Sequence, residues 1–216
     1  MTFKTAFTMA AALAGLAIAS TAHADITVSS TPYTSGIVGP GTMIEDFNAG
    51  TTPLVAGFSF SGTGQLRSDT QYDAAQPAGD TSQYYVTRTG ETATLASTTQ
   101  LTSLSIFIGS VDSYNFIDFL DKNGVSVEKL GGAVFSPSGS NGDQGAAATN
   151  RLFTFDLTNA AAPVYGVTFS STGNSFEFDN ISASAAPEPA AWSLMILGVG
   201  GMGAALRNRR RRALAA

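Results

Sequence analysis

Apolar and polar residues alternate in short runs along most of this chain. The pattern is plain in Phe58-Ser59-Phe60, Leu104-Ser105-Ile106 and Phe176-Glu177-Phe178. A period of two puts every second side chain on one face of a strand. No helical period of useful length precedes residue 190. The runs predict ten strands, at 43–47, 57–61, 83–87, 93–95, 101–108, 115–120, 125–130, 151–157, 164–170 and 175–181, separated by Gly, Ser, Asn and Asp. Short strands at this spacing predict an all-β domain, an antiparallel β-sandwich of jelly-roll-like form. Residues 62–79 and 137–150 are expected as loops and 25–40 as an irregular lead-in. Ala183-Ser184-Ala185-Ala186 is expected as a linker. Residues 118–124 predict a hairpin closed by an Asn123-Gly124 type I′ turn.

The two ends follow a different pattern. Near the N-terminus, Lys4 precedes an uncharged apolar run over 6–19 and then Ala22-His23-Ala24. A positive start, a short greasy core and a small-x-small site predict a secretory signal peptide over 1–24, cleaved after Ala24. Near the C-terminus, Pro187-Glu188-Pro189-Ala190-Ala191-Trp192 leads into an apolar run that ends at Leu206. Arg207, Arg209, Arg210, Arg211 and Arg212 follow. Residues 190–206 as a helix would reach roughly 26 Å, a little short of a ~30 Å hydrocarbon core. Trp192 suits one headgroup region, and the arginines suit the cytoplasmic one, where their stems can snorkel. The segment predicts a single transmembrane helix with its N-terminal side outside. Two prolines remove two N–H donors, so 187–189 should be extended and open to a peptidase cleft. The organisation is then a leader (1–24), a β-sandwich domain (25–184) and a sorting tail (185–216) with its motif at 187–192 and its basic end at 207–212.

The whole chain carries a net charge of −5, but the middle is more acidic. Residues 25–186 hold five basic side chains (Arg67, Arg88, Lys122, Lys129, Arg151) against fifteen acidic ones. Such a domain cannot bind nucleic acid by neutralising phosphates. There is no cysteine, and the one histidine, His23, leaves with the leader. A histidine-assisted serine triad, a cysteine nucleophile and the usual zinc sites are therefore excluded from the mature domain. Carboxylate chemistry and oxygen-ligand cations remain. No serine stands in a Gly-x-Ser-x-Gly elbow. With fifteen carboxylates no catalytic pair can be nominated, so the expectation is a non-enzymatic protein with a carboxylate hydrolase as a distant third reading. Tyr72, Tyr84, Tyr85, Tyr114 and Tyr165 are candidates for a sugar-stacking platform or for core and cross-strand pairs.

The order Pro187-Glu188-Pro189-x-x-Trp192, apolar glycine-rich segment, arginine cluster resembles the PEP-CTERM sorting signal in its Pro-Glu-Pro-x-x-Trp variant. That resemblance implies export through the Sec translocon across the inner membrane of a Gram-negative bacterium. A transient membrane anchor, processing by exosortase and release to the cell surface or matrix would follow. It also implies association with exopolysaccharide or biofilm. Gly109-Ser110-Val111-Asp112-Ser113-Tyr114-Asn115 resembles a stretch of exported PEP-CTERM surface proteins and implies no activity. Glu45-Asp46-Phe47, early in the fold, and Glu177-Phe178-Asp179-Asn180-Ile181, at its end, resemble the first and last strands of jelly-roll carbohydrate-binding modules. There, acidic residues from both ends share a structural calcium. That resemblance implies Glu45, Asp46 and Asp179 as candidate Ca²⁺ ligands, with no other cofactor. It makes a calcium-dependent carbohydrate-binding module of the cell surface the alternative function.

Overall fold

The computed structural model describes residues 25–137, 139–186, 193–203 and 207. Its strands are β1 (Thr27–Pro32), β2 (Thr42–Glu45), β3 (Phe58–Gly62), β4 (Gln65–Arg67), β5 (Tyr84–Thr87), β6 (Thr92–Gly109), β7 (Asn115–Leu120), β8 (Ser126–Gly131), β9 (Arg151–Asp156), β10 (Val164–Ser171) and β11 (Phe176–Ala185). A single helical turn, α1 (Gly132–Phe135), follows β8. All strand pairings are antiparallel.

Strand β6 belongs to both layers of the sandwich. Its first half pairs with β3 and β10, and β10 leads on to β7 and β8. Its second half pairs with β9 and β11; β1 lies beyond β9, and β2, β5 and β4 lie beyond β11. Inward side chains of the two layers meet. Phe119 of β7 packs on Phe155 of β9 at 5.3 Å between ring centroids, and Phe169 of β10 on Phe178 of β11 at 4.5 Å. Each fully buried ring stabilises the fold by about 1.5–3 kcal/mol through its removal from water.

Nine of the eleven strands coincide with predicted runs, and the differences have physical reasons. The runs at 93–95 and 101–108 are one strand. Their polar separator, residues 96–100, is the stretch where β6 passes from one layer to the other and is not covered on both faces. The expected lead-in contains β1, whose residues alternate between exposed and half-buried along the edge of β9. Only Val28 of β1 packs on the core, so its sequence lacks an apolar period. Pro32 is tolerated because it ends an edge strand. Three-residue β4 lies inside the expected loop at 62–79. The expected linker is largely strand: β11 continues to Ala185, and Ala183 is buried.

The 118–124 hairpin forms, but with a different turn. Gly124 has φ +77 while Asn123 does not have a positive φ. A type I′ turn needs both. The Gly124 N–H donates to the Asp121 carbonyl at 3.1 Å, and Asp121 Oδ1 accepts from the N–H groups of Asn123 and Val125. The hydrogen bond from Val125, joined by those from Asn123, holds the Asp121 carboxyl below its ordinary range. A type I turn with a left-handed glycine results, because the Asp121 side chain caps the turn that Asn123 was expected to make.

Residues 193–203 are helical, and α2 denotes this segment. Leu194, Met195, Ile196, Leu197, Val199 and Met202 are all exposed on it. Among the described residues no helix is long and apolar enough to cross a membrane. The ends of the predicted 190–206 span, together with Ala22, Ala24, Pro187, Glu188, Pro189, Trp192 and Arg209 to Arg212, lie outside the described residues. Arg207 is described, helical and exposed.

Candidate functional site

The chemistry of the domain concentrates on β11. Phe176 and Phe178 point into the core, so Glu177 and Asp179 share the opposite face of the strand. That face is covered too, and both carboxylates are buried. Beyond them Asn180 adopts φ +51 and the register shifts between Asp179 and Ser182. The resulting bulge carries Ile181 and Ala183 back to the core side, three residues after Phe178 rather than two.

Glu177 is fully served. Oε1 accepts from the Ala75 N–H at 3.2 Å and from the Ser175 hydroxyl; Oε2 accepts from the Ser110 hydroxyl at 3.0 Å. Burial pushes its carboxyl up to about 7, and the three donors hold it back from rising further. It lines a cavity of about 180 Å³. Asp73, Asp112, Tyr72, Tyr114, Asn141 and Gln144 line the same cavity. Burial also raises the Asp112 carboxyl, with the Tyr114 hydroxyl beside it acting the other way.

Asp179 is poorly served. Oδ2 accepts from the Ser82 hydroxyl at 3.1 Å, and Oδ1 has no hydrogen-bond partner. The same hydroxyl lies 2.6 Å from Asp80 Oδ1, which also accepts from the Ser82 N–H, and Asp80 Oδ2 is likewise unpartnered. Burial first, and the facing charge of Asp80 second, push the Asp179 carboxyl up to about 8.

Glu45 lies at the end of β2, paired across from Ile181 of β11 and hence close in register to Asp179. Its Oε1 accepts from the Phe47 N–H at 2.8 Å, and its Oε2 is buried without a partner. Burial raises this carboxyl as well. The bend is forced by Phe47, which takes φ +55 so that its ring sits among Phe60, Tyr85 and Phe178. Asp46 is turned away: Oδ1 accepts from the Asn48 N–H in an exposed contact.

Of the three predicted calcium ligands, then, two are buried with an orphaned oxygen each and one faces outward. Among the described residues no three acidic, histidine or cysteine side chains converge closely enough to cage a metal. The facing pair is Asp80 with Asp179. The donor chemistry fits a hard cation, which takes carboxylate oxygens readily, but its remaining ligands would have to be carbonyls and water. Sequence reasoning missed Asp80, which lies in a loop with no periodic signal; the short spacing Asp80-Thr81-Ser82 marks only a turn. It named Glu177 only as a neighbour of Asp179.

Of the two readings open for the tyrosines, the core reading holds for Tyr84 and Tyr85, and the five do not form one platform. Tyr84 and Tyr85 are core residues, and Tyr85 packs against Phe47, Phe60 and Phe178, edge-on to Phe60. Tyr165 is half-buried. Tyr72 and Tyr114 alone of the five line the cavity.

Residues 185–211 match the model of the PEP-CTERM protein-sorting motif. The chain carries a PEP-CTERM sorting motif. Such a motif is an exosortase recognition signal and implies export with a membrane-anchored sorting signal. It begins on the last residue of β11, so the PEP-CTERM tail follows the sandwich directly. No curated protein matches the chain by sequence. Several solved structures are distantly similar, among them the following three. A glycoside hydrolase family 43 arabinoxylan arabinofuranohydrolase from Bacillus subtilis shares 16% identity over 64% of this chain and 30% of its own, with a TM-score of 0.35. The enzymatically active domain of tailspike protein 4 of bacteriophage CBA120 shares 15% over 66% and 22%, at 0.33. The family 11 carbohydrate-binding module of a Clostridium thermocellum cellulosomal cellulase shares 14% over 70% and 97%, at 0.31. The chain thus spans under a third of the first two proteins. Likeness at this level says nothing of function.

Proposed function

We propose that this is an exported, non-enzymatic surface or matrix protein, delivered by its tail and associated with exopolysaccharide or biofilm. The observation that carries the reading is the PEP-CTERM match at 185–211, set immediately after the last strand of a folded all-β domain. In this reading residues 1–24 are a signal peptide removed after Ala24, and the Sec translocon passes the domain across the inner membrane of a Gram-negative bacterium. Residues 190–206 then span that membrane for a time. The described part of the segment supports this: α2 exposes apolar side chains on every side, as suits lipid better than water. Arg207 and Arg209 to Arg212 stay in the cytosol, and exosortase acts at Pro187, Glu188, Pro189 and Trp192. The sandwich, jelly-roll-like in this reading, becomes the released module. The lack of His and Cys after residue 24 leaves only carboxylate chemistry to any competing enzymatic reading.

Cell fractionation with intact-mass measurement tests the reading. The expected product lacks residues 1–24 and the terminal arginines and sits outside the inner membrane. A cytosolic chain with its first methionine intact overturns it.

A second reading, a calcium-dependent carbohydrate-binding module, is favoured by one specific observation. Glu45 Oε2, Asp80 Oδ2 and Asp179 Oδ1 are buried acceptors without donors. Leaving such groups unpaired is costly, and a divalent cation would satisfy the facing pair, Asp80 with Asp179. Asp80 and Asp179 would hold it, with carbonyls and water completing the set and neither Glu45 nor Asp46 in it. Adding Ca²⁺ after EDTA should raise the melting midpoint; an unchanged midpoint dismisses the ion.

A further inference from the structure

The cavity above Glu177 has a feature that the fold does not require. Tyr72 is 99% exposed, although burying a tyrosine ring is favourable and the core lies close by. It stands at the tip of a turn that is held firmly. The Gln71 N–H donates to the Ala74 carbonyl at 2.8 Å and the Ala74 N–H returns to Gln71 at 3.3 Å. Next to it Asp73 is clamped by Arg88 Nε at 2.6 Å, and the Ala75 N–H is fixed to Glu177. A rigid turn therefore presents an uncovered aromatic face beside a cavity whose lining is almost wholly polar.

That lining selects a ligand chemistry. Asp73, Asp112 and Glu177 contribute carboxyl groups, and among the described residues no lysine or arginine lines the space. Anionic ligands are thereby disfavoured. Glu177 is occupied by three donors, and Asp73 is neutralised by Arg88 at Oδ2, with Arg67 3.8 Å from its buried Oδ1. No metal cage forms there among the described residues. Asp112 remains: the Tyr114 hydroxyl is beside its carboxyl, whose two oxygens can accept further donors, and Asn141 and Gln144 line the same space. Gln144 is exposed and has no hydrogen-bond partner among the described residues. A carboxylate, side-chain amides and an exposed ring around a small cleft match a body with hydroxyls on its edge and C–H groups on its face.

Resting on the reading of exopolysaccharide association, we propose that this cavity binds a residue of a neutral polysaccharide. Tyr72 packs on the apolar face of the sugar ring, and Asp112 accepts hydrogen bonds from its hydroxyls. Glu177 is a positioning residue: through Ala75, Ser110 and Ser175 it fixes the turn below Tyr72 and the wall that leads to Asp112.

The test is affinity electrophoresis of the full chain in detergent through gels containing β-glucan, xylan, cationic chitosan or anionic alginate. Y72A and D112N are compared with Y165A, which changes a half-buried tyrosine outside the cavity, and thermal melts confirm that all three fold. Retardation by a neutral glycan is expected, weakened about tenfold or more by Y72A and by D112N and unchanged by Y165A. Retardation by a neutral glycan that survives both Y72A and D112N overturns the site while leaving the association reading intact. Retardation by chitosan alone, abolished by salt, overturns the neutral ligand. Absence of retardation in every gel overturns the site and the association reading together.

Discussion

Glu177 and Asp179 are two residues apart on one strand and one face, both buried, both raised, yet they are built differently. Glu177 has a donor for each direction it needs, drawn from Ala75, Ser110 and Ser175. Asp179 shares a single hydroxyl with Asp80 and keeps an empty oxygen. Burial of a carboxylate is costly in both cases. In the first the fold itself supplies the compensation, so the residue is part of the architecture. In the second the compensation is missing, which is how a side chain waiting for a cation or a proton is expected to look. Burial alone does not distinguish a structural carboxylate from a site; the count of donors does.

The largest effect should come from emptying the satisfied position. Glu177→Ala leaves two hydroxyls and an N–H without an acceptor, and should cost about 4 kcal/mol in denaturant unfolding. Asp179→Ala should cost far less in the absence of divalent ions, since it removes an uncompensated group. Equal losses would erase the distinction.

Calcium should then act on one position and not the other. At a hundredfold excess over its dissociation constant, the ion should stabilise the wild-type chain by about 2.7 kcal/mol. It should do the same for Glu177→Gln, and do nothing for Asp80→Asn or Asp179→Asn. Scanning calorimetry after EDTA treatment provides the measurement.

The pH dependence of stability has a definite sign. Both folded-state carboxyls lie above their ordinary values, at about 7 for Glu177 and about 8 for Asp179. The native state therefore holds more protons than the unfolded one, and stability must fall as pH rises. The contribution is complete below about pH 4 and is lost on the way up through about 7 to 8. Without metal, melting midpoints should decline from pH 5 to pH 8. Asp179→Asn should flatten the upper part of that decline, and saturating Ca²⁺ should do likewise because it binds the ionised form.

A smaller effect belongs to the shared donor. Ser82→Ala removes one hydroxyl from the Asp80–Asp179 pair and should change stability by about 1 kcal/mol. Asp46→Ala, by contrast, should leave both stability and calcium response unchanged, since that side chain faces outward on Asn48.

Much of this molecule was written locally. Alternation such as Phe58-Ser59-Phe60 fixed strand identity, because a period of two has one geometric meaning. The sorting motif matched at 185–211 was legible because sorting reads a linear segment, whose chemistry survives without any fold around it. The absence of His and Cys after residue 24 narrowed the chemistry before any geometry was known. Tertiary structure decided what depends on neighbours distant in the chain. It merged two runs into β6, because strands on either side supply hydrogen bonds that a polar sequence does not advertise. It sent Tyr84 and Tyr85 inward and left Tyr72 outside. It also brought Asp80 from a loop to Asp179 on the last strand, and gave Glu177 donors at positions 75, 110 and 175. A residue type announces which hydrogen bonds it needs; only the folded chain determines which of them are met.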